Sequence, residues 1–294
     1  MNNNNATNIV FSFATDGPSA INEDEVNHRG TRGWILDGAT SLSGRKKNFD
    51  GHLKSDASWF VQEFSSALCK LSGSESFLDE TYKILQDIRR QANRVWGEWN
   101  DQDVPSSSFS YACIEGQIAH LNNLGDCRIQ YSVDGGKVEA FGSCGVDRLD
   151  RSLLDSYISL RRCSPEIPHK DIWMTLVPEI RKNRSLMNTP DGYWILSPDG
   201  SGISHIESIS IPYEKNIKIL LTSDGLYRLV DTYCVYSESD FFKEAFSQDG
   251  LNNLIKELRE IESSDGGGVL FPRVKLQDDA SGLCINVNSN NSVD

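Results

Sequence analysis

The sequence predicts an α+β fold of two antiparallel sheets packed face to face, with helices on the outside. Three observations support it. Two early stretches carry apolar residues at spacings of three and four, a block of short β-forming runs broken by turn residues follows, and strands and helical stretches alternate again toward the C-terminus. The 294 residues are read as one large domain over residues 9–289, with a disordered polar tail at 1–8, a second polar tail at 290–294 and a variable flap at 142–191.

Taken in order, IVFSFA at Ile9–Ala14 is rich in β-formers, and Trp34–Leu36 is a second short apolar run that ends at Asp37-Gly38. From Leu53 the apolar residues fall at Ala57, Phe60, Val61, Phe64, Leu68 and Leu71, which share one helical face. A second helical stripe runs through Leu78, Leu85, Ile88, Ala92, Val95 and Trp99, and Pro105 with a serine run ends it. Four β-like runs come next, at Phe109–Ile114, Gln117–Leu121, Arg128–Val133 and Lys137–Phe141. The turns between them predict an antiparallel meander. Residues 142–191 hold one helical stretch, Lys170–Arg181, flanked by Pro165, Pro168 and Pro190. Strands are expected again at Tyr193–Leu196, Ser204–Ile211 and Ile217–Thr222, then helices at Asp240–Phe246 and Leu251–Ile261, and a last strand at Gly282–Val287.

Charge narrows the function classes. With 29 Lys and Arg against 42 Asp and Glu, the formal charge is −13 and the isoelectric point is near 4.9. Nucleic acid and anionic membranes need a basic face, so neither is an expected partner. No run of about 18 apolar residues occurs to span a bilayer, and the opening MNNNNATN lacks the charged and apolar regions of a secretion signal. The seven cysteines form no C-x-x-C pair, so reduced thiols buried as small hydrophobes, in a cytoplasmic protein, are expected.

The acids of chemical interest lie where apolar strands stop. WILDG ends at Asp37-Gly38, ILLTSDG ends at Asp224-Gly225, and Asp278-Asp279 precede SGLCINV. Carboxylates that converge repel one another and need protons or cations between them, and an all-oxygen set suits hard divalent ions such as magnesium or manganese. Asp134-Gly135, Asp191-Gly192 and Asp199-Gly200 follow polar segments and read as turns.

These residues carry a resemblance. NED at Asn22–Asp24, ILDG at Ile35–Gly38, LGDCR at Leu124–Arg128, TSDGL at Thr222–Leu226 and DDAS at Asp278–Ser281 stand in the order of the motifs of the PP2C-type (PPM) metal-dependent serine/threonine protein phosphatases. The resemblance implies an αββα sandwich with two Mn²⁺ or Mg²⁺ ions between the sheets. By that resemblance Asp37 bridges both ions, Asp224 and Asp278 complete the ligands of one, and Glu23 with the Gly38 carbonyl serves the other. Asp24 resembles an acid that holds a metal-bound water. Asp126 resembles an acid linked in some members to a third ion; Arg228 stands where that ion's other ligand would be, so an Asp126–Arg228 ion pair is expected instead.

The implied activity is hydrolysis of phosphoserine or phosphothreonine on a protein, by a hydroxide bridging the two ions, with a Ser/Thr kinase as the candidate antagonist. Alternatives of other kinds are a catalytically weak pseudophosphatase that binds or regulates, and a small-molecule phosphatase. Two positions depart from the family pattern. GPSAI at Gly17–Ile21 lacks the family's phosphate-gripping Arg, for which Arg45 is the first substitute and Arg29 or Arg32 the next. Ala39 stands where eukaryotic members place a general-acid His.

Overall fold

The computed structural model describes residues 7–71, 76–97, 104–142 and 147–289. Strand β1 (Thr7–Asp16) leads to the hairpin β2 (Asp24–Arg29) and β3 (Arg32–Ala39), and then to a small hairpin of β4 (Lys46–Phe49) and β5 (His52–Ser55). Helices α1 (Asp56–Leu68) and α2 (Phe77–Trp96) follow, then strands β6 (Ser106–Glu115), β7 (Ile118–Leu124), β8 (Arg128–Val133) and β9 (Glu139–Phe141). A helical pair, α3 (Asp147–Cys163) and α4 (His169–Arg184), precedes β10 (Glu207–Pro212) and β11 (Asn216–Thr222). The chain ends through α5 (Asp224–Asp231), α6 (Glu238–Ala245), α7 (Gly250–Ser264) and β12 (Ala280–Ser289).

Two five-stranded sheets result, in the orders β1-β12-β11-β8-β9 and β10-β7-β6-β3-β2, and every pairing in them is antiparallel. Side chains alternate across each strand and so divide between two apolar layers. Ile35 points to the layer between the sheets, with Leu121, Ile129, Ile219, Leu283 and Ile285. Its neighbours Trp34 and Leu36 face α1 and α2, against Phe60, Phe64 and Ile88. On the far side Leu220 and Cys284 meet Leu226, Phe241, Leu254 and Leu258 of α5, α6 and α7. This is the expected sandwich with helices outside.

Several elements differ from expectation, for physical reasons. Leu53 lies in β5 and is 52% exposed; the helix starts later, where the Ser55 hydroxyl accepts the Ser58 N–H. The four-strand run is not one meander. β6 and β7 belong to one sheet, β8 and β9 to the other, and the chain crosses at Gly125-Asp126-Cys127 because each pair buries one face between the sheets. Tyr193–Leu196 makes only the isolated bridges Met187↔Tyr193 and Ser107↔Leu196. Helices α3 and α5 have no counterpart in the sequence reading; α3 buries a narrow stripe, Leu153 and Tyr157, against Ile172 and Leu176 of α4.

β1 starts at Thr7, paired with Ser289, so Thr7 and Asn8 belong to the sheet and not to a tail. Residues 1–6 and 290–294, Trp99 and Cys144 lie outside the described residues. Of the described cysteines, all are free thiols; Cys113, Cys127 and Cys284 are buried as expected, whereas Cys163 and Cys234 are exposed. No described helix is long and apolar enough to cross a membrane.

Candidate metal and phosphate site

One sheet edge brings the first acids together. Asp37 lies inside β3, not beyond its end, directly opposite Asp24 of β2 on one side and Ser108 of β6 on the other. Asp24 is 6% exposed, and neither of its carboxylate oxygens has a hydrogen-bond partner. Next to Asp37, the Gly38 N–H donates to the Glu23 carbonyl at 3.1 Å, and a side chain at Gly38 would meet that oxygen at 2.4 Å. Glycine is the residue this approach allows.

The crossover between sheets supplies Asp126. The Ser108 hydroxyl donates to its carboxylate and accepts its N–H at 3.1 Å. Gly125, at φ +94°, lets the chain turn against Ser108, whose side chain leaves no space for a Cβ. Asp224 opens α5 directly after β11. Its position is tied to β12 by Ser223 N–H to Ser281 O at 3.0 Å and Ser281 N–H to Ser223 Oγ at 2.9 Å. A side chain at Gly225 would meet the Asp279 carbonyl at 1.9 Å, so α5 and the acidic pair interlock.

The charges of these acids bear on one another. Burial pushes the Asp37 carboxyl well above the usual range, and the charges of Asp24, Asp224 and Asp126 add to the rise. Burial does the same to Asp24, and the charges of Asp279 and Asp278 add to the rise. Asp126 is pushed up to about 6, by burial and then by Asp224. Asp224 goes the other way. Burial opposes its ionisation, but the Arg228 charge, a hydrogen bond from the Asp37 carboxyl and the Lys275 charge hold it below the usual range.

Asp278 is flanked by cations. Arg228 Nη2 lies 2.8 Å from one of its oxygens and Lys275 Nζ 3.0 Å from the other. Both cations have raised pKa values; for Lys275 the Asp278 charge is the main cause, while for Arg228 the charges of Asp278 and Asp224 overcome burial. Behind them, Arg259 donates to the Asp278 carbonyl at 2.9 Å and to Asp16 and Glu262 at 2.6 Å each.

A cavity of about 350 Å³ opens over this ledge. Asp37, Gly38, Asp126, Asp224 and Asp278 line its floor, Arg184, Arg228 and Lys275 its side, and Leu153, Leu154, Trp173 and Ile180 of the α3–α4 pair its roof. Within residues 142–191 the described chain forms the helices α3 and α4. α4 is fastened to the ledge by Arg184, which donates to the carbonyls of Ala39 at 3.2 Å and Val104 at 2.9 Å.

Other expected site residues stand elsewhere. The Glu23 carboxylate turns to the Thr40 hydroxyl and does not line the cavity, although the Glu23 carbonyl accepts the Gly38 N–H and the Glu23 N–H donates to the Asp279 carboxylate at 2.7 Å. Arg45 bonds Ser43 at 3.2 Å and the Trp96 carbonyl at 3.3 Å, at the end of α2, and is not part of the cavity wall. Arg32 bonds the Leu71 carbonyl at 2.9 Å, and Arg29 is exposed in the β2–β3 hairpin. The Asp126–Arg228 pair does not form: Arg228 is drawn to Asp278, and Asp126 to Ser108. Lys275 and Arg184 were not foreseen. Only Lys275 leaves a trace in the sequence, three residues before Asp278 on one loop.

The donor chemistry suits a hard cation around Asp37. Asp24 is buried with both oxygens unpartnered, and its charge and those of the half-buried Asp126 and Asp224 bear on the half-buried Asp37, a concentration of charge that a divalent ion relieves. As they stand, no three or more acidic, His or Cys side chains among the described residues are gathered closely enough to hold one. Asp278 and Glu23 are engaged with other side chains.

No protein-family model and no curated protein matches the chain. Solved structures do. The catalytic domain of the serine/threonine protein phosphatase PstP in complex with two manganese ions is 16% identical, covers 96% of this chain and 100% of its own, and has a TM-score of 0.56. The S. agalactiae serine/threonine phosphatase is 14% identical, with 95% and 99% covered and a TM-score of 0.53. The PPM Ser-Thr phosphatase MsPP from Mycobacterium smegmatis, in complex with cacodylate, is 16% identical, with 94% and 97% covered and a TM-score of 0.50. Likeness over nearly the whole of both chains, with two antiparallel sheets between layers of helices, shows that this protein has the PPM-type phosphatase fold.

Proposed function

We propose that the chain is a metal-dependent phosphomonoesterase that removes phosphate from phosphoserine or phosphothreonine of a protein. The observation that supports this reading most is the convergence of Asp24, Asp37, Asp126 and Asp224, from four separate segments, beneath one cavity that also holds Asp278, Arg228 and Lys275. A stabilising core has no use for such a cluster, because like charges out of water are costly.

Asp37 and Asp224 would hold the cations, with the Gly38 carbonyl beside them and with Asp278 and Glu23 once their side chains turn from Lys275 and Thr40. Mn²⁺ or Mg²⁺ bound there supplies an acidified water and neutralises charge on phosphoryl oxygens. The chain's own groups do the rest. Arg228 fixes Asp278 and Ser108 fixes Asp126, and the acidic pair Asp37 and Asp224 shares a proton that would have to leave for both to hold a cation. The apolar roof from α3 and α4 limits water around the leaving group. Ala39 offers no proton, so either water protonates the leaving oxygen or the substrate carries a good leaving group.

Hydrolysis of an aryl phosphate with and without Mn²⁺ tests the reading. Metal-dependent turnover is expected, with Asp224→Asn lowering kcat by roughly a hundredfold or more, since it removes a charge that bears on the transition state. The second reading, a pseudophosphatase that binds without turning over, is favoured by one observation: Asp278 is already neutralised by Lys275 and Arg228. No turnover at any Mn²⁺ level, with phosphopeptide binding intact, would select it.

A further inference from the structure

Four cationic side chains line the cavity among the described residues, and their surroundings separate them. Arg273 is 4% exposed and locked to Asp265 at 2.7 Å and to the carbonyls of Leu276 and Phe271. Arg228 is anchored between Asp278 and Glu262, its side chain 12% exposed. Arg184 spends Nη2 on the carbonyls of Ala39 and Val104. Lys275 differs: 53% of its side chain is open, and Nζ makes its one hydrogen bond among the described residues to Asp278.

The backbone that carries Lys275 is held firmly. Asp265 accepts the N–H groups of Val269, Leu270 and Phe271 at 2.8, 3.1 and 3.0 Å. The Val274 carbonyl bonds His169 Nε2 at 2.9 Å, and the Lys275 carbonyl accepts from Arg228 at 3.4 Å. A flexible ammonium on a fixed base can therefore move a few ångström without disturbing the loop. It also has charge to spare, because Asp278 holds two cations with one negative charge. A phosphate dianion entering over an acidic floor needs such a partner.

We propose that Lys275 is the phosphate-gripping residue of this chain, turning its ammonium from Asp278 onto the phosphoryl oxygens of a bound phosphomonoester while Arg228 stays on Asp278. This rests on the phosphatase reading of the cavity. It makes Lys275 a binding residue that fixes where the phosphate sits.

Inorganic phosphate titrated calorimetrically into the full chain, with and without Mn²⁺, reads the contact directly, alongside steady-state kinetics on an aryl phosphate. For Lys275→Ala, phosphate affinity should fall and KM rise by about tenfold, as for loss of one charge-assisted contact, with kcat within about threefold. Lys275→Arg should restore most of both, and the melting temperature of each variant should stay near that of the parent because the side chain is half open. Lys275→Gln repeats the test should the Ala variant fail to fold. Unchanged phosphate affinity and KM in the Ala or Gln variant would overturn the proposal, as would a parent protein that binds no phosphate. Phosphate binding that depends on Lys275 in a protein without turnover would uphold it and end the hydrolase reading; normal turnover with a Lys275-independent KM would do the reverse.

Discussion

Asp126 shows at the scale of one residue how the site trades stability for charge. Its carboxyl is pushed up to about 6 by burial and by Asp224. A folded-state pKa above the ordinary 3.8 means that the fold favours the protonated acid. Its contribution to stability is therefore complete below that ordinary value and is lost as pH rises through about 6. In chelator, the urea midpoint should fall between pH 4.5 and 7, and Asp126→Asn should make the fall shallower. An equal fall in the variant would contradict this assignment. Asp37 and Asp224 are legible in the sequence because each follows an apolar run into Asp-Gly, where a strand feeds a tight approach between segments. Glu23, Arg45 and Lys275 are not. Whether a long side chain turns to Thr40, to the Trp96 carbonyl or to Asp278 depends on neighbours far away in the chain.

Among the elements, the loop between α7 and β12 does the most to shape the cavity. The buried Asp265–Arg273 pair, 3% and 4% exposed, organises it. Burial opposes ionisation of Asp265, yet the N–H groups of Phe271 and Leu270 and the Arg273 guanidinium hold its pKa below the usual range. That stability is present above the ordinary carboxylate pKa and is lost only in stronger acid. Asp265→Ala leaves a buried guanidinium unpaired, at a cost of about 3–5 kcal/mol. Hydrogen exchange should then speed up at Val269, Leu270 and Phe271, together with a lower melting temperature; unchanged protection at those amides would contradict the role given to Asp265. Helices α1, α2, α6 and α7 are legible because a wide apolar stripe repeats along each. α5 is hidden because its first two residues, Asp224-Gly225, read as the turn that stops β11, and α3 by a stripe flanked with charge. No local pattern says which sheet a strand joins, so the split of β6–β7 from β8–β9 was out of reach.

For the whole molecule, the acids come from positions 24 to 278 and meet only when both sheets close on the central apolar layer. β2, β3 and the crossover bring three of them, α5 and the segment before β12 the others. Folding thus gathers mutual repulsion at one rim of a chain already at −13, and a bound divalent ion is the economical relief. Anomalous scattering at the manganese edge, from crystals of the full chain grown with Mn²⁺, tests this most directly. Manganese peaks in contact with Asp37 and Asp224, with Asp278 turned from Lys275 toward them, are the predicted result. Crystals with no manganese at those acids, and Lys275 still on Asp278, would contradict it.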